Sequence, residues 1–186
     1  SVKELITWAK ANPGKLAYVT AGSGSSQHLT GLFMGKSADF EAVHVAYKGG
    51  GPAMNDLLGG QVQMGILIMS TIMPHVEAGK LRAIAVAEAV RAKALPNLPT
   101  IGESIPGFAM PDIWIGLLGP RGVPAAIVNR INAEANKAIH APDVKPKVEA
   151  AGYEVSGNTP AEFAQTIRSS IEQYRKATTV AGVKPE

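Results

Sequence analysis

The stretch Thr20-Ala-Gly-Ser-Gly-Ser-Ser-Gln-His28 gathers hydroxyls, glycines and an imidazole where a short apolar run, Leu16-Ala-Tyr-Val-Thr20, gives way to a helical pattern. In open α/β sheets, ligands settle at the carboxyl ends of strands, where loops lead into helix N-termini. Glycines let such a loop turn sharply and bring its backbone close to a ligand. Ser25 and Ser26 fall at the helix start, where free N–H groups and the positive dipole end stabilise a carboxylate or phosphate without any charged side chain. The residues read equally well as a plain cap, with Ser25 or Ser26 accepting from first-turn amides. The Gly-Lys-Ser/Thr ending of a P-loop is absent, and the glycine spacing is a poor dinucleotide fingerprint.

Ser25 or Ser26 with His28 as base would make this an acyl-transfer or hydrolytic enzyme. Residues two apart on a helix do not face each other. No orienting acid can be assigned, and Ala21-Gly-Ser-Gly-Ser25 has a central serine without the other parts of a nucleophile elbow. No catalytic residue is therefore expected, and the enzyme stands as the alternative. A second loop, Tyr47-Lys-Gly-Gly-Gly-Pro52, again joins a strand to a helix start. Tyr47 either lines a cleft or is a half-buried strand-end residue, and Lys48 reads as solvated. In a third segment, Met64 to Pro74, Ile66, Leu67 and Ile68 most simply fill the core, while Met69 or Ser70 can reach the cleft. His44 and His75 lack a second ligand at metal spacing, so neither a metal nor a cofactor is expected.

These loops need a scaffold. Ser1-Val-Lys-Glu4 reads as a capping box opening a helix with Val2, Leu5, Ile6 and Ala9 on one face, ended by Asn12-Pro-Gly14. Strands follow at 16–20, 42–47, 62–69 and 81–87, separated by helices at about 25–36, after Pro52, and at 71–78. The alternation predicts an α/β fold with a largely parallel sheet. A proline-rich passage, 96–108, precedes Ile113-Trp-Ile-Gly-Leu-Leu118. Then come helices at 125–140 and 142–151, a strand at 153–155, and a last helix that Thr159-Pro160 caps, with Phe163, Ile167, Ile171 and Tyr174 along it. Trp114 belongs either to the core or to a lobe interface. The boundary near 110 reads as a crossover between two lobes.

Composition narrows the classes. With 186 residues, 46% hydrophobic and 18% charged, the chain can bury a core and is not of disordered type. No apolar run approaches the ~18–20 residues that span a bilayer. A net charge of +3, with scattered basic residues and no helix-turn-helix, gives no nucleic-acid interface. The absence of cysteine removes disulfides and thiol chemistry. No signal peptide is visible at Ser1, as in a mature secreted protein or an internal fragment.

The same segments carry a family resemblance. Ser1-Val-Lys-Glu-Leu5 with Ala11-Asn-Pro-Gly-Lys15, Ala21-Gly-Ser-Gly-Ser-Ser-Gln-His-Leu29, Val45-Ala-Tyr-Lys-Gly49, Asp56-Leu-Leu-Gly-Gly-Gln-Val62, Pro74-His-Val-Glu-Ala-Gly-Lys-Leu-Arg82, Leu98-Pro-Thr100, Gly116-Leu-Leu-Gly-Pro120 and Ala151-Gly-Tyr153 recur in this order and spacing. In them the chain resembles the periplasmic solute-binding receptors of the tripartite tricarboxylate transporter type, the Bug family. The resemblance implies a two-lobed type II periplasmic-binding-protein fold that closes on a small mono- or dicarboxylate and presents it to a membrane permease, without catalysis. It implies a periplasmic location and places the ligand on Gly24, Ser25, Ser26, Gln27 and Tyr47. A ligand-sensing effector domain is a further alternative.

Two departures qualify the resemblance. Family members are usually much longer, and Ser1 matches a point well inside them. The implied organisation is one nearly complete α/β ligand-binding lobe, 1–112, plus a segment, 113–186, that returns to a second, half-absent lobe. Apolar surface left open there would favour pairing with a second copy of the chain. Many relatives also carry an acidic residue where this chain has Leu67. In a pocket, that change favours a less polar ligand; in the core it changes nothing.

Overall fold

The computed structural model describes residues 1–182. Three short strands, β1 (Ala17–Thr20), β2 (Val43–Ala46) and β3 (Met64–Gly65), form a sheet of order β2-β1-β3 in which both pairings are parallel. The helices are α1 (Val2–Ala11), α2 (Ser26–Ala38), α3 (Gly50–Leu58), α4 (Met69–Glu77), α5 (Ala125–Ile139), α6 (Lys145–Ala150) and α7 (Pro160–Ala181). A parallel sheet needs a crossover between neighbouring strands, and α2 and α3 supply the two crossovers. The fold is of the expected α/β class.

The chain divides into two compact units. One comprises Ser1–Asp112 with the chain from Gln173 onward; the other is Ile113–Glu172. In the first unit the central strand β1 has a core on each face. Leu16 and Tyr18 join Val2, Ala9, Leu29, Met34, Phe40 and Phe108 on one side, and Val19 meets Ala53 and Val62 on the other. This follows from side chains alternating across a strand. Ser1 caps α1 in a full capping box with Glu4, and Val2 and Ala9 are buried with Leu5 and Ile6 packed beside them. α2 buries Gln27, Leu29, Thr30, Gly31 and Met34. Gly31 is required there, because a Cβ would lie 2.3 Å from the Tyr18 ring.

Three expected strands differ in the structure. The run 62–69 pairs only at Met64–Gly65, and Met69 already begins α4. β3 meets only Tyr18 and Val19 of β1, and Ile66 N–H to the Val19 carbonyl (3.0 Å) is the last bond before the chain turns away. The run 81–87 is not a strand: it makes a single bridge, Val86 with Thr100. Its neighbour across that bridge follows Pro99, which has no N–H to extend a ladder. Residues 153–155 are irregular, and the Tyr153 N–H closes α6 on the Val148 carbonyl instead. The sequence division also grouped the whole of 113–186 together. The end of α7 instead packs in the first unit, with Ala177 buried in its core and Tyr174 against it.

In the second unit Trp114 donates from Nε1 to the Ser170 hydroxyl (2.9 Å) and meets Phe163 edge-on at 4.9 Å. Asn132 and Asn136 donate to the Asn158 carbonyl, and Thr159 and Glu162 cap the start of α7. Ile115, Leu117 and Leu118 are each more than 70% exposed. Among the described residues every fully buried hydrophobic side chain belongs to the first unit.

Candidate functional site

In a parallel sheet all strands end on the same edge. At that edge the loop after β1 is tied to the loop after β2: Tyr47 N–H donates to the Thr20 carbonyl (3.3 Å) and Gly49 N–H to the Ala21 carbonyl (3.0 Å). A Cβ on Gly50, the first residue of α3, would touch Thr71 Cγ2 of α4 at 3.4 Å. The starts of α2, α3 and α4 are thus linked in a row along one edge of the first unit.

Ser25 is the N-cap of α2. Its Oγ accepts the His28 N–H (3.2 Å) and donates to the Gly22 carbonyl (2.6 Å). Both readings of the loop meet here, since a serine that caps one amide leaves the Ser26 and Gln27 N–H groups as first-turn donors. Gly24 is exposed at φ +72°, a left-handed conformation that other residues enter at a cost. The Ser26 hydroxyl donates to Gln27 Oε1 (3.4 Å), and the Gln27 side chain is buried. α3 and α4 follow the N-cap residues Gly49 and Ile68, neither of which makes a side-chain cap.

The Tyr47 hydroxyl donates to Asp56 Oδ2 on α3, and this bond to a carboxylate raises the phenol above its ordinary range. Leu67 is half-buried against the Val19–Ala53–Val62 cluster, as is Tyr47. The structure therefore gives Leu67 an apolar packing role beside the Tyr47 loop.

The serine–histidine pairing that an enzyme would need is not formed. The Ser25 hydroxyl donates to a carbonyl, and His28 Nδ1 accepts from the Gly24 N–H (3.1 Å). His28 instead stacks on His44, with ring centroids 3.9 Å apart and planes 13° apart. His44 Nε2 lies 2.7 Å from Thr20 Oγ1, which also bonds the Gly22 N–H and carbonyl. Burial pushes both imidazoles below their ordinary range, and for His44 the His28 charge adds to this. Sequence reading missed this pair and the partner of Tyr47. The only signal for the first was His44 on the strand that flanks β1, and its use needs the Tyr18–His44 register.

Comparison with known proteins decides the family. The family model of the tripartite tricarboxylate transporter family receptor matches residues 1–181. The chain belongs to this family. A curated relative, the UPF0065 protein in the tcbD-tcbE intergenic region of Pseudomonas sp. strain P51, is 37% identical over 177 residues, covering 94% of this chain and 52% of the relative. Among solved structures, R. palustris Rpa4515 with adipate superposes with a TM-score of 0.93 at 31% identity, covering 100% of this chain and 62% of that one. The periplasmic binding protein BugD gives 0.85 at 30% identity, covering 99% and 62%. The receptor-family chain thus has the fold of periplasmic binding proteins, and it spans about half the length of the curated relative it matches.

Proposed function

We propose that this receptor-family chain captures a small mono- or dicarboxylate at the edge formed by loop 21–25, Tyr47 and the starts of α3 and α4, and that it does so without catalysis. The observation that carries the reading is the row of three helix starts, two of them free of any side-chain cap. Unspent N–H groups and aligned dipoles favour an anion there. Gly24, Ser25, Ser26 and Gln27 offer the backbone and hydroxyl donors, Tyr47 a ring held in place by its bond to Asp56, and Leu67 an apolar backing. The adipate in the R. palustris relative supports the ligand class.

In this reading residues 1–112, joined by the end of α7, form the ligand-binding lobe, and 113–172 belong to a segment of a second lobe. The chain works in the periplasm and hands its ligand to the membrane permease of a tripartite transporter, as family membership suggests. A second copy of the chain as partner draws no support from the relatives. Light scattering that shows a monomer at every concentration would remove it.

The test is thermal stabilisation by a panel of acids that includes adipate. A ligand binding only the folded form adds about 2.7 kcal/mol at a hundredfold excess over its Kd. A shift with one acid, lost in Ser25→Ala, is the expected result. Turnover of an ester substrate would replace this reading with the enzymatic one.

A further inference from the structure

We propose that the stacked His28 and His44 are positioning residues that hold loop 21–25 in its ligand-ready form only while both rings are neutral, so that this site opens in acid. The inference about the loop stands on its own geometry; its consequence for capture rests on the carboxylate reading above.

The two histidines grip the loop at two points. His28 Nδ1 accepts the Gly24 N–H, and His44 reaches Gly22 through the Thr20 hydroxyl. The first bond requires a lone pair on Nδ1, so it exists only in the neutral tautomer whose proton is on Nε2. A proton added at Nδ1 sets one donor against another, and the bond is lost. A charged ring would also face its neighbour at a centroid distance of 3.9 Å, so the two cannot both be imidazolium without repulsion. His28 lies in the first turn of α2, where the positive end of the helix disfavours a cation as well.

Among the described residues, no carboxylate is a cause of the shift of either imidazole. From β1 the pair faces Tyr18, whose ring is 5.0 Å from that of His44. From α7, Tyr174 lies beside Ser26, and the carboxylates of Asp112 and Glu88 act on Tyr174. The charge that His44 feels is that of His28.

The test is an NMR titration of the whole chain from about pH 8 to about pH 5, across the ordinary histidine midpoint of about 6.5. The Gly22 and Gly24 amides should shift with the His28 imidazole and lose exchange protection by about tenfold. In His28→Gln/His44→Gln the step should vanish, because an amide oxygen accepts the Gly24 N–H without titrating. Glycine amides that stay unchanged while the imidazoles titrate would overturn the proposal, and this wild-type measurement decides even if the double variant fails to fold. Adipate affinity, measured at both ends, should fall about tenfold more in acid for the wild type than for the double variant, whose loss reports the protonation of adipate itself. No adipate binding at neutral pH would count against the carboxylate reading, with the loop titration still deciding the switch.

Discussion

At Gly31 the structure has room for a hydrogen and nothing larger. A methyl there would meet Tyr18 Cε2 at 2.3 Å, and Tyr18 is almost wholly buried beneath it. Gly31→Ala gains helix propensity of at most about 1 kcal/mol, against about 1–3 kcal/mol for overpacking a tight core. Net destabilisation is expected, read as a lower urea midpoint. Among the described residues the Tyr18 hydroxyl has no hydrogen-bond partner, and burial pushes its phenol up to about 12. Tyr18→Phe removes an unsatisfied group, so stability should hold or rise by about 1 kcal/mol. A clear loss would reveal a partner for that hydroxyl. At Tyr47 the neighbouring carboxylate is what raises the phenol, so Asp56→Asn should bring its titration back down in ultraviolet difference spectra. The histidine pair acts on stability with a definite sign. Both imidazoles have lowered folded-state pKa values. Their contribution is complete above the ordinary value near 6.5 and declines as pH falls from there toward the folded values.

At the scale of elements, the capped 3-10 turn Ile101–Glu103 shows how a short segment is pinned. Glu103 accepts from the Thr100 N–H and takes both Nε and Nη2 of Arg91, which also reaches the Pro96 carbonyl. The Arg91 hydrogen bonds lead in lowering the Glu103 carboxyl to about 2. Whatever this arrangement adds to stability is present above the ordinary carboxylate value near 4.5 and is lost as pH falls toward 2. Carboxyl chemical shifts should show this low midpoint, and Arg91→Ala should raise it. An unmoved midpoint would assign the shift to the Thr100 amide. Segments with local signals were legible in the sequence: the Ser1–Glu4 box, the cap at Thr159, the apolar face of α1, and the cap at Ser25 all depend on near neighbours along the chain. The 81–87 run was not. Its apolar residues do pack on the core, Ile84, Ala85 and Ala87 among them, yet its backbone bonds are set by Pro99 and Met110 far along the chain. Periodicity reports which side chains are buried, not which backbone is available to pair.

At the scale of the whole molecule, burial is unevenly shared. The first unit holds every fully buried hydrophobic residue among those described, whereas the second leaves Ile115, Leu117, Leu118, Ile127 and Ile131 in solvent. Local opening is easiest where few apolar contacts must break. Amide exchange should therefore protect β1 and α2 far better than α5, and equal protection would mean that the second unit gains contacts in solution. The candidate site was partly visible beforehand for a related reason. Ser25, Ser26 and Tyr47 sit where a parallel sheet presents its loops, so the strand–helix order points to them, and the family resemblance adds Gly24 and Gln27. The His28–His44 stack and the Tyr47–Asp56 bond join residues that only the folded register brings together.

The middle strand of the sheet is also the first to be made. As the polypeptide leaves a ribosome, Tyr18 and Val19 emerge well before Val43–Ala46 and later still Met64–Gly65, the segments that satisfy their amides. At about 5–20 residues per second, that wait is on the order of seconds. Throughout it, β1, among the most buried of the described residues, is an unpaired apolar strand that a chaperone can hold until its two partners arrive.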